Sequence, residues 1–512
     1  MSNSPWNPLK ISILAFSLSG ALSFCNALNA NSVESMPIKS QYFISQFENV
    51  MGTSFEMRVK TSSSKQAALA EKIVLQEVKR LSAILSAYDS NSEFSQWMKT
   101  YNVPIKVSPE LLEVISLFDS WKMKTKGALN PAAEITSTLW KQAAASQVLP
   151  NHEAINMAIQ TTNETHWKIN VVTQTITHTS QAPLMLNSFV KSYVMEKAIQ
   201  QLRATLNIED IVLNVGGDIL VNGNSETAIA VANPLAHAMN DAPLDIVRAK
   251  DQFIATSGNY KRGHLIQGKW YSHIIDPRRG KPVEEIISAT VIAPSATDAG
   301  ALATAFNVLS IEESKKLAAQ YPAAAYLIIT KEGERIQSNN WVSVQPEKNL
   351  PITSVPLSKG NTWDPSFELI VNLELAKFEG PYRRPFLAIW IEDKDKNSVR
   401  TVTVWYNKPR WLKDLRAWHS ANYSKFNPES GTISTVSSAT RSAGQYAIKW
   451  DGKNDKGEYV PTGEYTVKIE VVREHGTYQL YNQDIKVNNK KNKFELAPNT
   501  EVAAASIEIK KL

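Results

Sequence analysis

The chain has 512 residues, 43% of them hydrophobic, with 13 Trp, 16 Tyr and 15 Phe. That length exceeds one ordinary domain, and the apolar content is enough to build real cores. The formal net charge of +6 is a mild excess on so long a chain and argues against a nucleic-acid partner.

The first 30 residues read as an export signal. Lys10 precedes an uncharged apolar stretch, Ile11–Phe24, and Ala27 and Ala30 offer small residues for cleavage. The stretch is short for a transmembrane helix, and polar sequence follows it. Cys25 is the single cysteine. Cleavage beyond it leaves a mature chain without disulfides, thiol catalysis or thiolate metal sites. Membrane association follows only if Cys25 is lipidated, and Phe24 stands where a lipoprotein signal has a small residue. The expected location is the periplasm.

The first domain is expected over 41–343. A strand with a glycine break runs Phe47–Val59, and helical spacing marks Lys65–Leu85 and Pro109–Lys124. Strands are predicted at Trp167–Val172, Thr175–His178, Ile211–Asn214, Ile219–Val221, Thr227–Val231, Phe253–Thr256, His273–Ile275 and Ala289–Ala293. Helices Asp298–Leu309 and Ile311–Gln320 follow, then a strand Ala324–Thr330. A Pro-, Ser- and Asn-rich linker is expected over 344–362. Beyond it, over 363–512, short strand-like runs separated by turns predict an all-β sandwich of immunoglobulin type, interrupted by a helical insertion at Arg410–Ala421. The fold class is therefore α+β followed by all-β.

Several short polar segments stand out. His273-Ile-Ile-Asp276-Pro-Arg278-Arg279-Gly280 presents an imidazole, a carboxylate and two guanidiniums at a turn. Read alone, it is a strand end with solvated arginines. Thr297–Thr304 opens a small-residue helix whose N-terminal N–H groups are expected to face the same mouth. Asn214-Val-Gly-Gly-Asp218 is a tight turn, or a place where a ligand approaches the backbone. Thr256–Tyr260 reads as a polar turn, Lys191 as a solvated helix start, and Gly127–Pro131 as a helix-to-helix turn.

Taken in order with Met51-Gly-Thr and Tyr88-Asp, these segments resemble the FAD:protein FMN transferases, the ApbE-like family, over about residues 45–340. The resemblance implies FAD as substrate, Mg²⁺ as cofactor, and an acceptor flavoprotein whose Ser or Thr hydroxyl receives FMN as AMP leaves. It implies flavin or FAD contacts from Met51, Tyr88, Ala128, Leu129, Asn130, Lys191 and Ile274. His273 is the implied base or charge stabiliser, with Asp276 beside it. The Ser188 carbonyl and the Thr304 hydroxyl match metal ligands, with Asp298 the nearest carboxylate.

The chain also departs from the family pattern. The family helix reads Ala-Asp-Ala-Leu-Ala-Thr, with the Asp and Thr on one face; here Gly300 replaces that Asp. Asp298 lies six residues before Thr304, off that face, and reads as an N-cap. Asp is replaced at Asn130 and Met185, Gly at Ser192, and Thr at Arg279. These changes predict weaker metal binding, with the two arginines facing the diphosphate in compensation. Gly300→Asp is then expected to restore metal affinity. Two readings stay open: a working transferase, or a flavin-binding protein of an extracytoplasmic redox system that has lost catalysis.

In the C-terminal region, Trp450–Gly457 and Pro461–Tyr465 resemble immunoglobulin-like secreted bacterial modules. The stretch from Arg384 to Gly476 resembles a family of secreted bacterial domains without assigned function. Arg473-Glu-His475-Gly476 reads as a strand-end turn or a docking site.

Overall fold

In the computed structural model, residues 40–512 are described, except 261, 344–361, 379–382, 407–408, 426–436, 439–440, 442 and 475. The export signal, Cys25, nearly all of the linker and His475 lie outside the described residues.

Eight strands form one antiparallel sheet whose spatial order follows the chain. They are β1 (Gln41–Val50), β2 (Thr53–Thr61), β3 (Asp210–Val215), β4 (Asp218–Gly223), β5 (Gln252–Gly258), β6 (Ile286–Ala293), β7 (Ala325–Thr330) and β8 (Arg335–Gln337). Alternation along each strand sends side chains to opposite faces. In β3, Ile211, Leu213 and Val215 enter the larger core while Val212 enters a smaller one behind the sheet. That rear face is covered by the hairpin Thr227–Val231/Asp245–Ala249.

The helices include α1 (Ser64–Leu85), α2 (Pro109–Lys124), α3 (Ala133–Ser146), α4 (His152–Thr162), α5 (Val190–Thr205), α6 (Ala296–Val308) and α7 (Ile311–Ala318); α1, α5 and α6 pack on the front face of the sheet, while α3 and α4 pack on each other and α3 on the strand Gly263–Ile266. α6 is the central one, packed on β5, β6 and α5. Its buried residues include Ala299, Gly300, Ala301, Ala303 and Ala305. Small side chains all round let it sit close to every neighbour. α3, α4 and β8 are additions to the elements expected from the sequence.

The C-terminal region is two facing sheets, as the strand spacing predicted. One is Gly444–Trp450, Phe367–Leu375, Val502–Lys511 and Asn492–Leu496 in spatial order. The other holds Ser398–Trp405, Phe386–Asp393, Gly463–Val472 and Tyr478–Val487, with the short segment Ser437–Ser438 beside Ser398–Trp405. Val371, Leu373, Ile389, Ile391, Val467 and Ile507 interleave between them. The strands at Asn492–Leu496 and Val502–Lys511 were not expected from the sequence. The helical insertion is a 3₁₀ turn, Pro409–Asp414, followed by the helix Arg416–Asn422. It is pinned by Glu470, fully buried, whose carboxylate accepts from the backbone N–H of Ala417 (3.0 Å) and Trp418 (2.8 Å).

The Arg473 segment is structural. Arg473 Nε donates to Glu501 at 3.0 Å and Arg383 pairs with Glu474 at 2.8 Å. The β-region also reaches the first domain. Asn240 exchanges two hydrogen bonds with the Lys449 backbone, 2.6 and 2.7 Å, and Arg384 donates to Asn49 at 3.3 Å.

Glu470→Ala leaves two buried N–H donors unsatisfied, so it should cost about 1–3 kcal/mol in chemical denaturation. Glu470→Gln, which keeps one acceptor oxygen, should cost less.

Candidate functional site

Two hairpin turns lie side by side at one end of the sheet. Met51 (φ 51°) and Gly52 (φ 73°) join β1 to β2, and Gly216 (φ 63°) and Gly217 (φ 103°) join β3 to β4. Both two-residue loops place their central residues in the left-handed region, as type I′ hairpins require. A Cβ on Gly216 would lie 2.5 Å from Thr53 Oγ1, so glycine permits the two turns to touch.

The other sequence segments connect to this end through pairwise contacts. Asp218, next after the glycine pair, faces Lys191 at the start of α5 and accepts from the Thr256 backbone N–H. Tyr88, largely exposed, donates to Asn187 at 3.4 Å. The Met185 N–H donates to the Pro131 carbonyl at 3.0 Å, which ties the stretch before α5 to the Ala128-Leu129-Asn130 turn. Ala128 and Leu129 are buried there. Gly127 packs against Arg278: a Cβ at 127 would meet the Arg278 Cγ at 3.7 Å. The Gly127–Pro131 turn thus lies against the loop that carries His273.

His273 is in a loop, not in the strand expected at His273–Ile275; the strands around it are Lys269–Ser272 and Ile275–Asp276. Its backbone N–H (3.3 Å) and its Nδ1 (3.0 Å) both meet the Arg262 carbonyl. A carbonyl only accepts, so Nδ1 carries the proton and Nε2 keeps its lone pair. The ring retains an edge open to solvent, yet partial burial, helped by the charges of Arg262 and His264, lowers its pKa below the ordinary histidine value. Ile274, half-buried, follows it.

Asp276 and Arg278 form a closed unit. Asp276 is buried and accepts from Arg278 Nε and NH2, both at 2.9 Å. Arg278 continues to Glu313 at 2.8 Å. Burial would raise the Glu313 carboxyl, but Arg278 and Ser310 hold it down to about 2. Arg278 is therefore neutralised within the protein, contrary to the expectation that both arginines face a diphosphate. Arg279 is the exposed one. Asp276 is a positioning group for this loop.

The helix α6 also departs from expectation. Its N-cap is Ser295, whose hydroxyl accepts from the Asp298 N–H at 3.2 Å. Glu196 accepts from the N–H groups of Thr297 and Ala296. The helix N-terminus is thus occupied by the chain's own groups and offers no free anion site. Asp298 sits here, in the first turn, near Lys124; burial raises its pKa against the pull of Lys124 and Ser295. About 9 Å of helix rise separates it from Thr304.

Ser188 has φ 64°, a left-handed conformation that a serine adopts only when its surroundings impose it. Thr304 Oγ1 donates to the Gly300 carbonyl at 3.0 Å. At Gly300 a Cβ would stand 2.7 Å from Ser192 Oγ, 3.1 Å from Phe189 Cα and 3.3 Å from Phe189 Cβ. The side chain whose restoration the sequence suggested therefore requires Ser192 and Phe189 to shift. Ser192 is 3% exposed, and its hydroxyl has no hydrogen-bond partner among the described residues. Among those residues, no group of three His, Cys, Asp or Glu is arranged to hold a metal ion. Thr304 hydrogen-bonds a neutral carbonyl and Gly300 supplies no carboxylate, whereas Mg²⁺ wants hard, preferably charged oxygens. The residues present do not fit a resident divalent cation.

Asn130 likewise is more than a lost carboxylate. Its amide donates to the Thr162 carbonyl at 3.1 Å, and its Oδ1 accepts from the Ala132 N–H at 3.0 Å.

Residues 51–328 match the ApbE family. Residues 368–504 match a second family, described as "Predicted periplasmic protein (DUF2271)". The FAD:protein FMN transferase of Treponema pallidum (strain Nichols) is 27% identical over 308 residues, covering 56% of this chain and 84% of that protein. The enzyme of the same name from Escherichia coli (strain K12) is 26% identical, covering 58% and 86%. The crystal structure of the ApbE protein from Thermotoga maritima aligns with a TM-score of 0.52 at 25% identity, over 58% of this chain and 97% of that one.

Burial pushes the Asp218 carboxyl up to about 6 from an ordinary 3.8, with Lys191 only partly opposing. The folded protein then holds a proton that the unfolded chain releases first. Stability should therefore be highest near pH 4, fall as pH rises to about 6, and level off above. The full effect is on the order of 3 kcal/mol at most. Denaturation midpoints across this window should lose that slope in Asp218→Asn. Asn130→Asp removes a buried donor and should cost about 1–3 kcal/mol in the same assay.

Proposed function

The chain belongs to the ApbE family, and from that membership we propose that it is a periplasmic flavin transferase. It takes FAD and an acceptor protein, moves FMN to a Ser or Thr hydroxyl of the acceptor, and releases AMP. The proposal includes an export leader over 1–30, a transferase domain over 41–343, a linker over 344–362 and a β-domain over 363–512. The second family match supports the location. No helix among the described residues is long and apolar enough to cross a membrane.

The observation that carries this reading is the set of contacts joining segments scattered from Met51 to Thr304 at one end of the sheet. A flavin-nucleotide cleft needs a backbone that a ring can approach, cations for the diphosphate and a base for the hydroxyl. The paired hairpin turns supply the first, Lys191 and the exposed Arg279 the second, His273 the third.

The chemistry follows from the His273 tautomer. Nε2 takes the proton from the acceptor hydroxyl while that oxygen attacks the FMN-side phosphorus of the diphosphate. The bond from that phosphorus to the bridging oxygen breaks, and AMP leaves with the bridging oxygen. Asp276 holds Arg278, and through it the loop, so that the imidazole keeps its place. The Arg384–Asn49 hydrogen bond sets the β-domain beside the Met51 turn, where it can guide an acceptor.

A second reading, a flavin-binding protein without turnover, is favoured by the uncharged oxygens around Gly300. Incubating the mature protein with FAD, Mg²⁺ and an acceptor flavoprotein separates the two. A transferase yields AMP and an acceptor heavier by FMN on mass analysis, and His273→Ala should lower the rate by about 10²–10⁴-fold. Intact FAD in the presence of every co-encoded acceptor would favour the second reading.

A further inference from the structure

We propose that the described residues form no cation site of their own and that the divalent ion enters only as a complex with the diphosphate of FAD. The inference rests on the flavin reading above and deepens it by naming the form of the substrate.

The argument begins with packing. α5 and α6 meet so closely at Ser192 and Gly300 that one more carbon at 300 would stand 2.7 Å from Ser192 Oγ and 3.1 Å from Phe189 Cα, and both would have to move. A carboxylate at 300 is excluded while Ser192 and Phe189 stay in place. Ser192 and Gly300 therefore behave as one unit: enlarging one requires shrinking the other. The oxygens at this junction are neutral: the Ser192 hydroxyl lies against Gly300, and the Gly300 carbonyl accepts from Thr304. The unpartnered Ser192 hydroxyl can bond a bound group, but it brings no charge.

The acids nearby are already engaged. The Asp298 carboxylate accepts from the Ser295 hydroxyl, Glu196 accepts from the Thr297 and Ala296 N–H groups, and Asp218 faces Lys191. A hard divalent ion loses too much hydration to be held by neutral oxygens alone. The diphosphate of FAD carries the missing anionic oxygens. Bound together, substrate and ion complete a ligand set that neither the protein nor the ion assembles separately.

Mn²⁺ serves as a probe that can be followed by electron paramagnetic resonance. Adding mature protein without FAD should leave the free Mn²⁺ signal unchanged. Adding protein and FAD together should quench it more than FAD alone does. FAD affinity, read from flavin fluorescence, should rise when Mn²⁺ is present.

Two variants test the packing. Gly300→Asp alone should lower the Tm, because its Cβ meets Ser192 and Phe189. The pair Ser192→Gly with Gly300→Asp should recover much of that loss and bind Mn²⁺ without FAD roughly tenfold or more tighter than the parent. Stoichiometric Mn²⁺ binding by the FAD-free parent would overturn the inference. So would a Gly300→Asp protein as stable as the parent, or a double variant that gains no Mn²⁺ affinity. Failure to bind FAD with or without the ion would instead overturn the flavin reading, and this inference with it.

Discussion

The site depends on how closely α6 approaches its neighbours. A helix with alanine or glycine at 296, 299, 300, 301, 303 and 305 can lie against β5, β6 and α5 at once. That closeness brings the start of α5, with Ser188, Lys191 and Ser192, to the Thr304 end of α6 and to the hairpin turns of the sheet. It also fixes the chemistry available. Close packing resists the addition of even one methylene, so the Ser192–Gly300 contact keeps a carboxylate out of the place where the family pattern has one. The same contact that assembles the cleft leaves it short of negative charge.

Charge is arranged to suit an anionic ligand in a second way. Arg278 is balanced by Asp276 and Glu313 and stiffens the loop, while Arg279 is exposed beside Asp276 and Lys191 faces Asp218. Beside this braced loop, burial lowers the His273 pKa below the ordinary histidine value.

Much of this was legible in the sequence because it is local. The short apolar runs Ile211–Asn214 and Ala289–Ala293 predict strands, and the order of short segments points to the family. Other features depend on partners far along the chain. Nothing near Arg278 announces Glu313, and nothing near Gly300 announces Ser192, 108 positions earlier. Asp298 reads as an N-cap by residue type, yet the helix begins two residues earlier and Ser295 caps it. His273 was placed on a strand because two isoleucines follow it. The last strand, Val502–Lys511, was missed because Ala503-Ala-Ala-Ser506 carries little β signal; pairing with Phe367–Leu375 supplies what local preference does not.

The central claim is that segments far apart in sequence form one flavin cleft, and amide hydrogen exchange with and without FAD tests it most directly. The account predicts simultaneous protection around Met51, Ala128–Asn130, Ser188–Ser192, Gly216–Asp218 and His273, with the rear hairpin at Thr227–Val231 unchanged. Protection confined to one of these segments, or found only elsewhere, would contradict it.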